Sequence, residues 1–294
     1  MTYIDSNNCL KRLFAVQYLI SNICLFVHIA VQCLIIFAYK TANLIRDYLL
    51  EQLKQEFGGR KSFTRQELLA FFRRFEPDLK ESTFRWRVYN LKHKNIISPI
   101  SRQKFVITDK PAFAVSTEKI DEKLTALIRK QFPHLRFAVW STKAVNEFML
   151  HQPARYYTLV EVEREATEAV FNFLKDNRVK NVFLEPNEKE LQKYISDLEN
   201  AVVVLPLVSK APIQTKRDRA SITIEKLLVD LYSDRQLFNA YQGSELVNIY
   251  NTAYNRYPID FTKLFSYATR RRKAADLKHF LSQKTDIPQN LFHD

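Results

Sequence analysis

Glycine is almost missing from this chain. With 3 Gly in 294 residues, there is no Gly-rich loop to cradle a phosphate, so any nucleotide site has to be built another way. Cysteine is as scarce: Cys9, Cys24 and Cys33 all precede residue 34, which excludes a disulfide framework for everything that follows. Cys24 and Cys33 sit in an apolar run that suits buried thiols better than metal ligands. The 6 His are scattered, and neither His93 nor His134 has a partner at ligand spacing, so no metal and no cofactor is expected. No Walker loop, no Gly-x-Ser-x-Gly elbow and no Cys/His pair is present. An enzyme is not expected.

What is plentiful is positive charge. The formal net charge is +13, with 46% hydrophobic and 26% charged residues. That composition is globular, and the charge favours an anionic partner such as nucleic acid or a membrane surface. A basic but inert surface is the bland alternative.

Between Arg12 and Lys40 there is no charge at all. Leu13 to Ala38 is long enough to cross a bilayer, although Gln17, Asn22, His28 and Gln32 interrupt it and no Ala-x-Ala cleavage site follows. Three readings stay open for residues 1–40: an upstream extension from a mis-called start codon, a membrane anchor, or a core helix. The first gives a cytoplasmic protein, the second one held at the inner membrane.

From Thr41 the character changes. Leu44, Ile45, Tyr48, Leu49 and Leu53 form a helical stripe that stops at Gly58-Gly59. Thr64-Arg65-Gln66-Glu67 is a capping box opening a second helix through Phe72. A third starts at Ser82-Thr83, with Phe84, Val88 and Leu91 on its inward face. Ile96–Ser98 and Phe105–Thr108 then read as two short strands. Three helices and a hairpin over 41–115 is the winged helix-turn-helix plan.

Charge placement agrees with duplex DNA as the partner. Residues 60–110 hold 13 Lys/Arg against 5 Asp/Glu, a difference of +8 out of the chain's +13. Phosphate contact requires such a concentration of cations. The helical wheel leaves Ser82, Trp86, Tyr89 and His93 outermost, with Thr83, Arg85, Asn90 and Lys92 on the flanks. Arg and Asn can bond bidentately to guanine and adenine edges. The expected DNA-binding set is therefore Lys80, Ser82, Thr83, Arg85, Trp86, Arg87, Tyr89, Asn90 and Lys92, with Arg102 and Lys104 on the wing. The competing use of the same module is protein interaction.

After a connector at 111–116 comes a β/α rhythm, so 116–294 is expected to be a small mixed or parallel α/β domain. A helix follows from Ile120 to Phe132-Pro133, and strands are expected at Leu135–Trp140, Tyr156–Val162, Lys180–Leu184 and Ala201–Leu205. Helices containing Ile224–Leu231, Leu246–Ala253 and Tyr267–Arg272, and a last one to Leu281, close it. The fold class is α+β. A nuclease would want Glu-x-Lys on a strand, and Glu161-Val162-Glu163 lacks the Lys. Asp230 and Asp234 share a helix face without a partner base and read as solvated charge. Arg270-Arg271-Arg272-Lys273 either favours a helix C-terminus or, with Lys216, Arg217 and Arg219, makes a second phosphate-binding surface.

These segments together resemble the AbiEi-type antitoxins of abortive-infection E (type IV) toxin–antitoxin systems. The resemblance is carried by Ser82–Lys92, Phe105–Ile107, Leu207–Pro212, Ile224–Asp230 and Tyr267–Arg271. It implies a winged helix that represses its own promoter. It also implies a C-terminal domain that opposes an AbiEii-like nucleotidyltransferase toxin in phage defence, without stable contact. On that basis Lys210, Arg270, Arg271 and Lys273 are the candidates for antitoxicity or a second basic surface. A membrane-anchored winged-helix regulator and a defence-island nuclease are the other classes.

Overall fold

The computed structural model describes residues 47–100, 103–116, 118–195, 198, 200–216 and 219–291. The Leu13–Ala38 stretch, Arg102 and the side chains of Lys216, Arg217 and Arg219 lie outside what is described. The chain divides into two compact units, residues 1–59 and 60–294. In the first, residues 47–57 are helical (α1). Gly58 closes that helix by donating its N–H to the Lys54 carbonyl at 2.8 Å. A Cβ at Gly58 would lie 2.3 Å from that same oxygen, which is why glycine stands there.

The second unit opens with β1 (Phe63–Thr64) and α2 (Arg65–Phe75). Thr64 is the N-cap, and its capping box with Glu67 is complete in both directions. The Thr64 backbone N–H and hydroxyl bonds hold the Glu67 carboxyl below its ordinary pKa. α3 (Glu81–His93) follows, starting one residue before the expected Ser82 and without a side-chain cap from Lys80. Glu81 in its first turn favours the positive helix end and ion-pairs with Arg65. β2 (Ile97–Pro99) and β3 (Lys104–Ile107) pair antiparallel with Ile97 opposite Ile107. β1, invisible to a periodicity argument at two residues, joins the other edge of β3.

The larger sheet has the order β4-β5-β7-β6. α4 (Lys119–Gln131) leads into β4 (Phe137–Ser141), and β5 (Tyr157–Val162) runs antiparallel to it. β6 (Val182–Leu184) and β7 (Ala201–Pro206) run parallel to β5, with α5 (Thr167–Asp176) as the crossover. Between β6 and β7 lies α6 (Glu188–Glu190), a single turn capped by Asn187 that continues as a π-helical turn, Leu191–Ile195. The sheet is mixed, one of the two forms that the β/α rhythm left open.

Both faces of this sheet are covered, which explains the unbroken apolar run of β7. Val202 and Val204 face one side with Leu124 and Ile128 of α4 and Val170 and Leu174 of α5. Ala201 and Val203 face the other, where α7 (Ile224–Ser233), α8 (Ser244–Arg256), α9 (Phe261–Arg270) and α10 (Ala274–Lys284) pack. Each fully buried Val or Leu contributes about 1.5–3 kcal/mol. Ahead of α7, β8 (Ile213–Lys216) and β9 (Arg219–Ile222) form a hairpin that none of the expected strands covered.

Two contacts tie β2 and the segment just after β3 to the closing helices and the turn between α8 and α9. The Ser98 hydroxyl donates to the Ile259 carbonyl at 3.5 Å. Lys110 donates to the Tyr254 carbonyl and lies 4.5 Å from the centre of its ring, where burial lowers the ammonium's pKa. Residues on both sides of position 115 therefore share one unit. Among the described residues no helix is long and apolar enough to cross a membrane.

Candidate nucleic-acid interface

α3 is built to present one face. Phe84, Val88 and Leu91 are buried, as their spacing required. The opposite face carries Trp86 and Tyr89, 65% and 63% exposed. Tyr89 stacks on His93, one turn along, with ring centres 6.0 Å apart. Two large aromatic side chains left in water on adjacent turns forgo several kcal/mol of burial between them, on the order of 1.5–3 kcal/mol each.

Charges frame the aromatic face. The Arg85 side chain is 72% exposed and reaches Glu81 at 3.4 Å, an exposed i,i+4 pair that a ligand can displace at little cost. Lys80 and Ser82 are exposed at the start of the helix, and Thr83 and Asn90 are half-buried on its flanks. Lys92 is exposed, with its ammonium 5.2 Å from the ring centre of Phe105. That contact brings the end of α3 to the strand bearing the exposed Lys104. Arg87 is differently placed. Its guanidinium is ion-paired with Glu76 and lies 5.2 Å from the ring centre of Phe72, with the side chain only 26% exposed. It braces α3 against the end of α2 rather than facing outward with Arg85.

The second basic group does not gather in one place. Lys210 is exposed in the turn after β7 with φ at 58°. Arg270 is exposed at the end of α9. Arg271 and Lys273 line one cleft with Arg235 and Ser233. Lys273 pairs with Asp276 at 3.6 Å.

Behind Arg271 lies a feature the sequence reading missed. Lys226 is wholly buried, and its ammonium donates to both Glu161 oxygens at 2.7 and 2.6 Å and to Asp230. Trp140 donates its indole N–H to Glu161 at 2.7 Å, and the Tyr267 hydroxyl donates to Asp230 at 2.8 Å. Arg271 approaches Asp230 to 3.7 Å from the cleft side. Two cations and two carboxylates thus neutralise one another among β4, β5, α7 and α9. Burial alone would lower the Lys226 pKa, but the Asp230 and Glu161 carboxylates outweigh it and raise it. Burial also pushes the Tyr267 hydroxyl upward, with Asp230 adding to the effect.

Asp230 is therefore not the solvated charge that its spacing from Asp234 suggested. It is 5% exposed because α7 is covered on all sides from Ile224 to Tyr232. The legible signal was three charges, Glu225, Lys226 and Asp230, in a helix otherwise apolar. Glu161 is likewise occupied by Lys226 and Trp140, which leaves it no role in holding a divalent ion. Among the described residues no group of His, Cys, Asp or Glu is placed to hold a metal.

A profile of DUF6577, described as a family of unknown function, matches residues 83–287. The matched stretch takes in nearly all of α3 together with the whole of the larger sheet and its closing helices. No curated protein matches the chain.

Proposed function

The chain belongs to the DUF6577 family, whose function is unknown, and we propose from its own residues that it is a DNA-binding regulator that contacts duplex DNA through α3. In this account α2 and α3 serve as a helix-turn-helix, β2 and β3 as a wing, and α3 as the helix that enters the major groove. The observation that carries it is the outer face of α3, where Trp86 and Tyr89 stand exposed beside the exposed Arg85. The +8 balance of residues 60–110 supplies the attraction to phosphate. Arg85 and Asn90 are the side chains suited to base edges, while Lys80, Lys92, Arg102 and Lys104 suit backbone. Arg87 holds the helix in place.

The fuller role follows from the resemblance to AbiEi-type antitoxins: a cytoplasmic protein that represses its own promoter and opposes a nucleotidyltransferase toxin. The test uses the full chain and a labelled duplex from its own promoter region in a salt titration. The logarithm of affinity is expected to fall with log salt at about −0.9 per phosphate held, so roughly −4 if Lys80, Lys92, Arg102 and Lys104 each hold one. Binding without salt dependence, or none to any duplex, would refute it. Capture of a protein partner abolished by Trp86→Ala, with no DNA binding, would instead make α3 a protein-docking face.

A further inference from the structure

The larger sheet ends in an open edge. β6 is its last strand, and β7 is its strand partner on one side only. The Asn181 carbonyl accepts the Val202 N–H at 2.9 Å, and the Glu185 N–H donates to the Val204 carbonyl at 3.0 Å. Main-chain groups alternate in direction along a strand, so Asn181, Phe183 and Glu185 turn theirs toward β7 while Val182 and Leu184 turn theirs away. Among the described residues nothing meets the N–H and C=O groups of Val182 and Leu184 on that outer side.

Edge strands invite another strand unless a lysine, a proline or a bulge blunts them. β6 is Val182-Phe183-Leu184 and contains none of these; shortness is its only protection. Its side chains are apolar on both faces and only half-buried. Val182 and Leu184 pack on the core that α4 and α5 cover, and Phe183 packs on the core of the closing helices. A strand laid alongside would cover both rows at once.

The charges flanking β6 select what lies alongside. Residues 175–180 enter the strand with Lys175, Arg178 and Lys180 against Asp176, a balance of +2. Residues 185–190 leave it with Glu185, Glu188 and Glu190 against Lys189, a balance of −2. A second copy laid antiparallel brings each basic entry to the other's acidic exit, whereas a parallel copy sets like against like. Lys180 and Glu185, the charges nearest the strand, have exposed side chains with no ion-pair partner among the described residues.

We propose that two copies of the chain pair antiparallel through β6, joining their sheets into one continuous sheet across a two-fold axis. With Val182 opposite the partner's Leu184, the two residues exchange both of their N–H···O=C bonds. Phe183 then meets the partner's Phe183 on the axis, at the closely spaced position of an antiparallel pair. Such a contact uses the same patch on both copies, so it closes on itself and leaves no edge at the seam for a third. Three residues per strand make a small interface, and the dimer is expected to dissociate on dilution. The pairing does not depend on α3 contacting DNA.

Sedimentation velocity of the full chain across a dilution series tests this. A species of twice the 34.8 kDa chain mass is expected at high concentration, and the monomer on dilution. Leu184→Pro removes an outward donor and keeps the Glu185 bond to Val204, and proline is tolerated on an edge where the N–H faces away from the sheet. It should raise the dimer dissociation constant about tenfold or more, since the symmetric seam loses the bond twice. Lys180→Glu and Glu185→Lys alter only exposed side chains, so they carry the test even where Leu184→Pro fails to fold. Each alone should be mostly monomeric where the unaltered chain is dimeric. An equimolar mixture of the two should dimerise again, because antiparallel pairing then sets opposite charges together at both ends. Trp86→Ala should leave association unchanged. A monomer at every concentration, a dimer indifferent to both charge reversals, or single variants whose mixture stays monomeric would each overturn the proposal.

Discussion

Replacing Lys226 by Met is expected to be among the most damaging single changes in the second unit. Met keeps the length of the side chain and removes only the ammonium. Glu161 and Asp230, 6% and 5% exposed, are then left as two buried carboxylates, each short of its main partner. Trp140 still donates one bond to Glu161, and Tyr267 one to Asp230. Arg271, at 3.7 Å, recovers part of the loss at Asp230 only. Breaking a buried ion pair by deleting one partner costs about 3–5 kcal/mol. For a cooperative unit of this size each kcal/mol lowers the melting temperature by about 2–4 °C, so a fall of roughly 6–20 °C is expected. The assay is thermal unfolding followed by circular dichroism at pH 7. The triple change Lys226→Met, Glu161→Gln, Asp230→Asn removes the charges together and should recover most of the stability. A Lys226→Met protein within about 1 kcal/mol of wild type, or a triple variant no better than the single, would refute the assignment of this network as a neutralised buried cluster.

Other consequences can be checked alongside. Arg85→Ala should weaken duplex binding by on the order of 1–3 kcal/mol and leave stability unchanged, whereas Arg87→Ala, which loses Glu76 and the Phe72 ring, should lower stability by about 1 kcal/mol in urea unfolding. Stability should decline as pH rises past about 10, the ordinary range of tyrosine and lysine. Lys226, Tyr250 and Tyr267 all have raised folded-state pKa values. The folded chain therefore keeps protons that the unfolded chain has released, and the stability they contribute at lower pH is lost. A flat profile from pH 8 to 11 would contradict this. Gly243→Ala meets open space, but φ is +67° there, so it should cost roughly 1–3 kcal/mol of stability through backbone strain alone.

Sequence pattern revealed those elements whose signal is local. Thr64 with Glu67 is a complete capping box, as its spacing implied, and Asn187 with Glu190 is another of the same local kind. Phe84, Val88 and Leu91 turn inward, and β7 is buried on both faces. What stayed hidden depends on partners distant in the chain. Arg85 and Arg87 look alike on a helical wheel, and only the position of Glu76 at the end of α2 separates them. Asp230 looked solvated because it was paired by pattern with Asp234 and not with Lys226, equally four residues away. Its true partners are Lys226, one turn back on α7, Tyr267 on α9 and Arg271 just past it. The hairpin of β8 and β9 escaped because strands of four residues are too short for alternation to stand out. The ties of Ser98 to Ile259 and of Lys110 to Tyr254 could not be read from pattern either, since they join residues 161 and 144 positions apart.

The exposed aromatic face of α3 can be watched directly, because the chain has 2 Trp and they differ completely in exposure. Trp140 is fully buried, while Trp86 is 65% exposed, so acrylamide quenches Trp86 almost alone. Titrating a promoter duplex into the full chain at low salt should lower Trp86 emission and protect it from acrylamide, at the same concentrations that saturate DNA anisotropy. The Trp86→Phe protein should lose the fluorescence change while retaining some binding through Arg85 and Lys92. Saturated DNA binding with Trp86 still fully open to acrylamide, or no binding by either measurement, would contradict α3 as the DNA-contacting element.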